Sequence, residues 1–198
     1  MVDSDELDAR TRALIDRGEL ERATELVLRT YGPELVRWLC SGLPSEADAH
    51  DAFSQTSEAL WKSLRGFDGR CSVRTWCYML ARQAASRVRT QPRRDHELLV
   101  SQIPSLLHAM THVWTASLGG AAQAREVYAE IRQTLDDDDR TLVALRVDRG
   151  LAWREIALIL LGEGAADDEL TRQAATLRKQ FERVTQRLRE LADERLSD

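Results

Sequence analysis

Apolar side chains recur every three or four residues through most of this chain of 198 residues. That spacing places them on one face of an α-helix, whereas no stretch shows the convincing period of two that marks a half-buried strand. Only 10 glycines and 4 prolines interrupt the pattern, and much of the rest is alanine, leucine, arginine and glutamate, which favour helices. We therefore predict an all-α fold.

Helix-breaking residues divide the chain into two helical domains joined by a linker. We predict an N-terminal extension over 1–18, a first domain over 19–94, a linker over 95–120 and a second domain over 121–198. The linker is too apolar for a free tether, so part of it should pack as a helix. Its His108 and His112 could chelate a metal, but two partly buried histidines are the more common explanation.

Local signals set the helices of the first domain. We expect them near 19–43, 45–64 and 72–89, with a short polar turn over 65–70 before the third. Gly32-Pro33 should mark a break or a new start in the first helix. Ser45 and Asp48 form a capping pattern at the start of the second.

The second domain has the pattern of a helix-turn-helix. Its helices are expected near 124–135, 139–149, 153–161 and 169–191, with Gly150 as a helix C-cap. The last two helices have the form of a motif whose second helix enters a DNA major groove. A bundle helix with a basic exterior is the alternative. The connection over 161–168 is longer and more acidic than the usual turn.

The formal net charge of -5 averages over two basic islands. Residues 70–94 hold seven arginines and no acidic residue, which gives +7. Residues 171–191 hold six basic and two acidic residues, which gives +4. An ordinary solvent-exposed face mixes both signs, so the first island favours a nucleic-acid partner although the average charge argues against one.

Each island also has a defined place on its helix. In the third helix a basic stripe with one aromatic lies apart from the apolar face, and it consists of Arg74, Tyr78, Arg82 and Arg89. Such a stripe suits a single strand, whose phosphates need neutralising and whose unstacked bases need a flat partner. In the final helix the polar side, opposite the apolar one, consists of Arg172, Thr176, Lys179, Arg183 and Gln186.

Other functional classes receive little support. Cys40, Cys71 and Cys77 lack the spacing of a zinc or redox motif and are expected to be small buried residues. The four histidines are scattered, and no glycine-rich phosphate loop or nucleophile with a nearby base is visible, so we expect no enzyme activity, metal or other cofactor. Without a long apolar run or a signal pattern, the protein is expected to be cytoplasmic with no membrane partner.

Three segments resemble the second conserved region of extracytoplasmic-function (group IV) sigma factors of the sigma-70 family. They are YGPELVRWL at 31–39, DAHDA at 48–52, and 59–82 with its FDG turn followed by an RTW-x-Y helix. The later segments 146–161 and 175–191 are similar, more loosely, to the fourth region, which is a helix-turn-helix.

This resemblance implies a bacterial transcription initiation factor. Such a protein binds core RNA polymerase at the β′ clamp and the β flap, directs it to promoter DNA and opens the duplex. An anti-sigma protein is a further possible partner that the resemblance implies.

The resemblance also assigns three sets of site residues. The clamp contacts are Asp48, Asp51, Gln55 and Glu58. The melted minus-ten element is assigned to Arg70, Arg74, Tyr78, Arg82, Gln83, Arg87, Arg89, Arg93 and Arg94. The minus-thirty-five duplex is assigned to Arg172, Thr176, Arg178, Lys179 and Arg183.

Two other functions remain open at this point. A helix-turn-helix regulator that binds duplex DNA without polymerase would explain the final helix but gives the first basic island no role. A helical adaptor that binds only proteins would retain no DNA at low salt.

Overall fold

The computed structural model describes residues 4–90 and 135–197, and the chain divides into two compact units, Met1–Ala129 and Glu130–Asp198. Within the described residues every regular element is helical, which confirms the predicted all-α fold. None of these helices is long and apolar enough to cross a membrane. The predicted linker with His108 and His112, the helix predicted over 124–135 up to residue 134, and the site residues Arg93 and Arg94 lie outside the described residues.

Four α-helices form the described part of the first unit. They are α1 (Ser4–Asp16), α2 (Leu20–Gly42), α3 (Glu46–Ser63) and α4 (Val73–Thr90). A 3-10 turn, Leu64–Gly66, follows α3 and leads into the loop before α4. The ends of α2, α3 and α4 agree with the predicted helices to within one residue.

The start of α3 shows the predicted capping pattern. The Asp48 N–H donates to Ser45 Oγ at 3.1 Å, and the Ser45 hydroxyl donates to the Asp48 carboxylate at 2.6 Å. The first turn of a helix has amides without intrahelical acceptors, so this cap satisfies one of them and fixes where α3 begins.

The predicted break at Gly32-Pro33 is wrong, because α2 continues through Pro33. A proline inside a helix lacks the N–H of one hydrogen bond and normally kinks or ends the helix. Here the residues on both sides of it are anchored in the core, and they include Leu28, Tyr31, Leu35 and Val36. Tertiary packing therefore outweighs the local preference of the proline.

The predicted extension over 1–18 is also corrected, because residues 4–16 form α1 and belong to the first unit. Leu7 and Thr11 of α1 are fully buried, and the helix contacts both α2 and α4. Its apolar residues are few, so the sequence gives only a weak helical pattern.

Helices α3 and α4 pack closely on each other through small buried residues. Ala49 and Ala52 of α3 and Ala81 and Ala84 of α4 have no exposed surface. Short side chains at a helix contact allow the two axes to approach. Two buried hydroxyls on α3 are satisfied within the helix, since Thr56 donates to the Ala52 carbonyl at 2.7 Å and Ser57 to the Phe53 carbonyl at 2.9 Å.

Tyr78 lies in the core of the first unit, and its predicted place on an exposed stripe is wrong. Its side chain is fully buried, and its ring meets the edge of Trp38 with 5.5 Å between the ring centroids and 83° between the planes. Helical periodicity predicts on which side of a helix a residue lies, but not whether another element packs against that side. In this part of α4 the residues around Tyr78 are buried on every side of the helix.

Three α-helices form the described part of the second unit. They are α5 (Asp137–Val143), continued by a π-helical turn over Ala144–Asp148, then α6 (Trp153–Leu161) and α7 (Asp167–Ser197). Gly150 has a φ of 65°, the left-handed conformation expected of the predicted helix C-cap. The core contains Leu142, Leu145, Leu151, Ile156, Ile159, Leu170, Leu177 and Val184.

The connection between α6 and α7 is shorter than predicted. It covers only residues 162–166, because Asp167 and Asp168 already belong to the first turn of α7. Negative side chains are favoured there by the positive end of the helix. Two of the three acidic residues of the predicted loop, Asp167 and Asp168, thus begin the helix instead of lengthening the turn.

Two of the three cysteines match the predicted burial. Cys40 and Cys77 are buried, whereas Cys71 is only half-buried, and all three are free thiols. Burial raises the pKa of the Cys77 thiol, so this side chain stays protonated and acts as a small apolar group.

We expect Tyr78→Ala to lower the free energy of unfolding by about 3 to 5 kcal/mol, because it removes a large ring from a closed core. Gln83→Ala, an exposed change on the same helix, should change it by less than about 0.5 kcal/mol. Urea denaturation followed by fluorescence measures both. Equal effects of the two substitutions would contradict the burial of Tyr78.

Candidate nucleic-acid interface

Helix α4 is enclosed in its first half and open in its second. From Val73 to Ala81 every residue is buried except Arg74, which is half-buried. The exposed residues of the second half are Gln83, Ser86, Arg87, Arg89 and Thr90. A ligand can therefore contact this helix mainly along its last two turns and at the turn that precedes it.

Arg74 points to a partner within the protein and not to solvent. Its guanidinium donates from Nε and Nη2 to the two carboxylate oxygens of Glu34 on α2, at 2.8 and 3.0 Å, and it lies over the Tyr78 ring. Burial alone would lower the pKa of Arg74, but the hydrogen bonds and charge of Glu34 raise it. Its predicted place on an exposed basic stripe is therefore wrong.

Arg89 is exposed, but it also has a structural role. Its Nη2 donates to the carbonyl of Gly42 at 2.7 Å. Gly42 is the last residue of α2, and the final carbonyls of a helix lack intrahelical donors. Arg89 thus caps α2 and ties the ends of two helices together.

Arg82 and Arg87 form no ion pair with any described residue. Arg87 is exposed and Arg82 half-buried, with the exposed Gln83 between them in sequence. Because Arg74 and Arg89 are engaged, Arg82 and Arg87 carry most of the positive charge of α4 that no other described residue binds. They form, with Gln83, what we call the α4 basic end.

The turn before α4 is built around an inward Phe67. Its ring is buried and meets the edge of Trp76 with 5.4 Å between the centroids. Asp68 accepts a hydrogen bond from the Arg70 N–H at 3.1 Å, which lowers the pKa of the Asp68 carboxyl. Gly69 follows with a φ of 73°. Arg70 is exposed and pairs with Asp68.

Helix α1 contacts this turn and the start of α4 through two residues that the sequence did not single out. Asp8 accepts a hydrogen bond from the Val73 N–H at 3.1 Å. The guanidinium of Arg12 lies 5.6 Å from the centre of the Phe67 ring and against Gly69. Both partners lie more than 50 residues away in sequence, so no local signal could have indicated them.

The four predicted clamp contacts share one stripe of α3. Asp48, Asp51, Gln55 and Glu58 are all half-buried and fall within about 80° of each other around the helix. Asp48 also serves the cap of α3, and Glu58 accepts a hydrogen bond from Lys62 at 2.7 Å. The structure brings these residues together on one face.

Helix α7 presents its basic side to solvent. Arg172, Thr176, Lys179 and Arg183 are exposed, as is Arg178, but Arg178 lies about 120° around the helix from the centre of the others. Arg172 pairs with Asp168 one turn earlier at 2.9 Å. Lys179 and Arg183 form no ion pair in the described part of the chain, so both are available cations on this face.

The angle between α6 and α7 is held by aromatic and ionic contacts. The rings of Trp153 and Phe181 meet edge to face with 5.4 Å between their centroids. The guanidinium of Arg146 lies over the same Trp153 ring, 4.7 Å from its centroid. Arg154 of α6 pairs with Asp167 at the start of α7. These contacts fix how the second helix of the pair is presented.

Gln180 connects the final helix to α5. Its side-chain amide donates to the Asp139 carboxylate at 2.7 Å. The side of α7 next to its basic face is therefore anchored by a hydrogen bond as well as by packing. Sequence reasoning missed this contact because the two residues are 41 positions apart.

Residues 27–94 match the family model of sigma-70 region 2. The match spans 68 of the 198 residues and contains the turn, the α3 stripe and the α4 basic end. This match supports the assignment of the chain to the sigma-70 family. No curated protein and no solved structure matches the chain.

The Glu34–Arg74 pair is expected to stabilise the first unit. Each single change, Glu34→Ala or Arg74→Ala, leaves a half-buried charge without its partner. The double variant should therefore lose less than the sum, with a coupling energy of about 0.5 to 3 kcal/mol. A double-mutant cycle in urea measures it. Additive effects would show that the two charges do not interact in solution.

Proposed function

We propose that this protein is an alternative sigma factor of the extracytoplasmic-function class. It binds core RNA polymerase in the cytoplasm, directs it to specific promoters and opens the DNA, with no catalysis of its own. The observation that carries the proposal is the α4 basic end, where Arg82 and Arg87 form no ion pair with another described residue, inside the segment that matches sigma-70 region 2.

Strand opening would use the turn and the α4 basic end as a surface for the minus-ten element. From Val73 to Arg87 the helix rises about 21 Å. At a stacked spacing of about 3.4 Å per nucleotide, this length corresponds to about six nucleotides. Arg82 and Arg87 would neutralise phosphates along the path, while Arg70 and the other exposed turn residues would meet the strand at its opposite end.

Base stacking needs a different partner from the one that the sequence indicated. Tyr78 is enclosed and cannot receive a base in this conformation. Capture of the strand would therefore depend on phosphate contacts and on polar contacts from residues such as Gln83. Phosphate contacts release counterions, so the affinity for the strand should depend steeply on salt.

Polymerase binding would use the α3 stripe, with Asp48, Asp51, Gln55 and Glu58 against the β′ clamp. Three carboxylates and one amide on a single face suit a basic partner surface. The stripe and the α4 basic end are separate sets of residues, so changes in one can be made without touching the other.

The second unit would read the minus-thirty-five element as duplex DNA. Helices α6 and α7 have the order and the short connection of a helix-turn-helix, and Lys179 and Arg183 are exposed on the second helix. Lysine and arginine are common partners of guanine edges in the major groove. The β flap of the polymerase would be the protein partner of this unit.

The variant Arg82→Ala/Arg87→Ala should weaken promoter opening while polymerase binding persists. Each lost phosphate contact lowers the slope of log affinity against log salt by about 0.7 on a single strand. Opening is followed with permanganate footprinting of a promoter selected with the wild-type holoenzyme. Strand affinity is measured with the holoenzyme and the nontemplate strand of that promoter.

Arg17→Ala/Arg22→Ala is the matched control, since it removes two exposed arginines whose ion-pair partner among the described residues is Glu19. It should leave opening and the salt slope unchanged. An equal loss of polymerase binding and opening in the Arg82/Arg87 variant would contradict the assignment.

Lys179→Ala and Arg183→Ala should weaken protection of the upstream element in footprints of the holoenzyme. Each lost base contact costs about 1 to 3 kcal/mol of discrimination between promoter sequences. Arg178→Ala removes the same charge from a different side of α7 and should have a smaller effect. Equal effects of all three would indicate general charge attraction and not base reading.

A further inference from the structure

We infer that α1 is a positioning element for the strand-binding turn, in which Asp8 and Arg12 hold residues 67–73 in the conformation that presents the turn and α4 to DNA. The inference rests on the proposed function of the turn. Both residues precede the segment that matches sigma-70 region 2, and neither belongs to a basic island.

Asp8 completes the cap of α4. Within the chain segment that starts the helix, Ser72 Oγ accepts a hydrogen bond from the Thr75 N–H at 3.1 Å. That contact leaves the first amide of the helix, at Val73, to another acceptor, and Asp8 supplies it at 3.1 Å. A carboxylate at this end also interacts favourably with the helix dipole. The start of α4 is thus fixed from α1.

Arg12 fixes the preceding turn from the same side. Its guanidinium covers the Phe67 ring, which in turn packs against Trp76 of α4. A Cβ at residue 69 would overlap this guanidinium, so any larger residue there would displace the Arg12 side chain. The positive φ of Gly69 favours glycine at this position independently. The direction of the exposed Arg70, one residue further, follows from this contact.

Asp8 and Arg12 would act through the turn and not by touching DNA. Asp8 is negative and half-buried, so it cannot attract a phosphate. Arg12 is half-buried with its guanidinium against the ring and the turn. Their loss should therefore lower the strand affinity without changing the number of phosphate contacts, which leaves the salt slope unchanged.

The test uses the full-length protein assembled with core polymerase. The probe is a fluorescent single-stranded oligonucleotide with the nontemplate strand of a promoter selected with the wild-type holoenzyme. The variants are Asp8→Ala and Arg12→Ala. Asp8→Asn keeps an oxygen acceptor for Val73, and Arg10→Ala removes an exposed charge from the same helix.

Asp8→Ala and Arg12→Ala should each weaken strand binding about fivefold, the effect expected of a lost helix cap, with the wild-type salt slope. Amide exchange over 67–73 should be faster in both variants. Asp8→Asn should restore binding to within about twofold of the wild type, because an amide oxygen can accept the same hydrogen bond. Arg10→Ala should bind as the wild type does.

Three results would overturn the inference. They are unchanged strand affinity in both alanine variants, a salt slope as low as that of Arg82→Ala/Arg87→Ala, or equal weakness of Asp8→Asn and Asp8→Ala. If Asp8→Ala does not fold, the Arg12→Lys variant provides the test, because it keeps the charge but loses the planar group over Phe67. Wild-type strand affinity of Arg12→Lys would then refute the inference. Failure of the wild-type holoenzyme to bind the strand would overturn the proposed function itself.

Discussion

The burial of the first half of α4 is the constraint on which the rest of the first unit depends. Tyr78 packs against Trp38 of α2, and Trp76 packs against Phe67 of the turn, so aromatic rings hold the helix from two directions. Rotation of α4 about its axis would expose both rings. The side that the second half of the helix presents to solvent is therefore decided by aromatic packing several turns earlier, and not by the arginines themselves.

The arginines of α4 show how the same residue type takes different roles according to its neighbours. Arg74 neutralises a carboxylate of α2, Arg89 caps the carbonyl end of that helix, and Arg87 stands in solvent. The positive charge that a polyanion would meet is consequently smaller and more localised than the +7 of the sequence segment. A surface of this kind selects a position along a strand better than a uniformly basic helix would.

The sequence predicted those features that depend on neighbours along the chain. The bounds of α3 and α6, the Ser45 cap and the left-handed Gly150 follow from side chains within a few residues. The features that failed depend on distant partners: Pro33 is tolerated because its flanking residues are buried, and Tyr78 is enclosed by other helices. The positions of the candidate site residues divide in the same way between local and distant causes. The exposed Lys179 and Arg183 were found from periodicity, whereas the Glu34 partner of Arg74 has no signal near it in sequence.

The first turn of α7 contains Asp167, Asp168 and Glu169, so the positive end of this helix is already balanced by its own carboxylates. Helix N-termini commonly bind phosphates through their free amides, but here three carboxylates occupy the first turn, two of them already paired with Arg154 and Arg172. If α7 binds DNA as proposed, its contacts with the backbone would therefore come from side chains further along the helix. The helix would then contact a groove with its middle turns, and its first turn would not touch the DNA backbone.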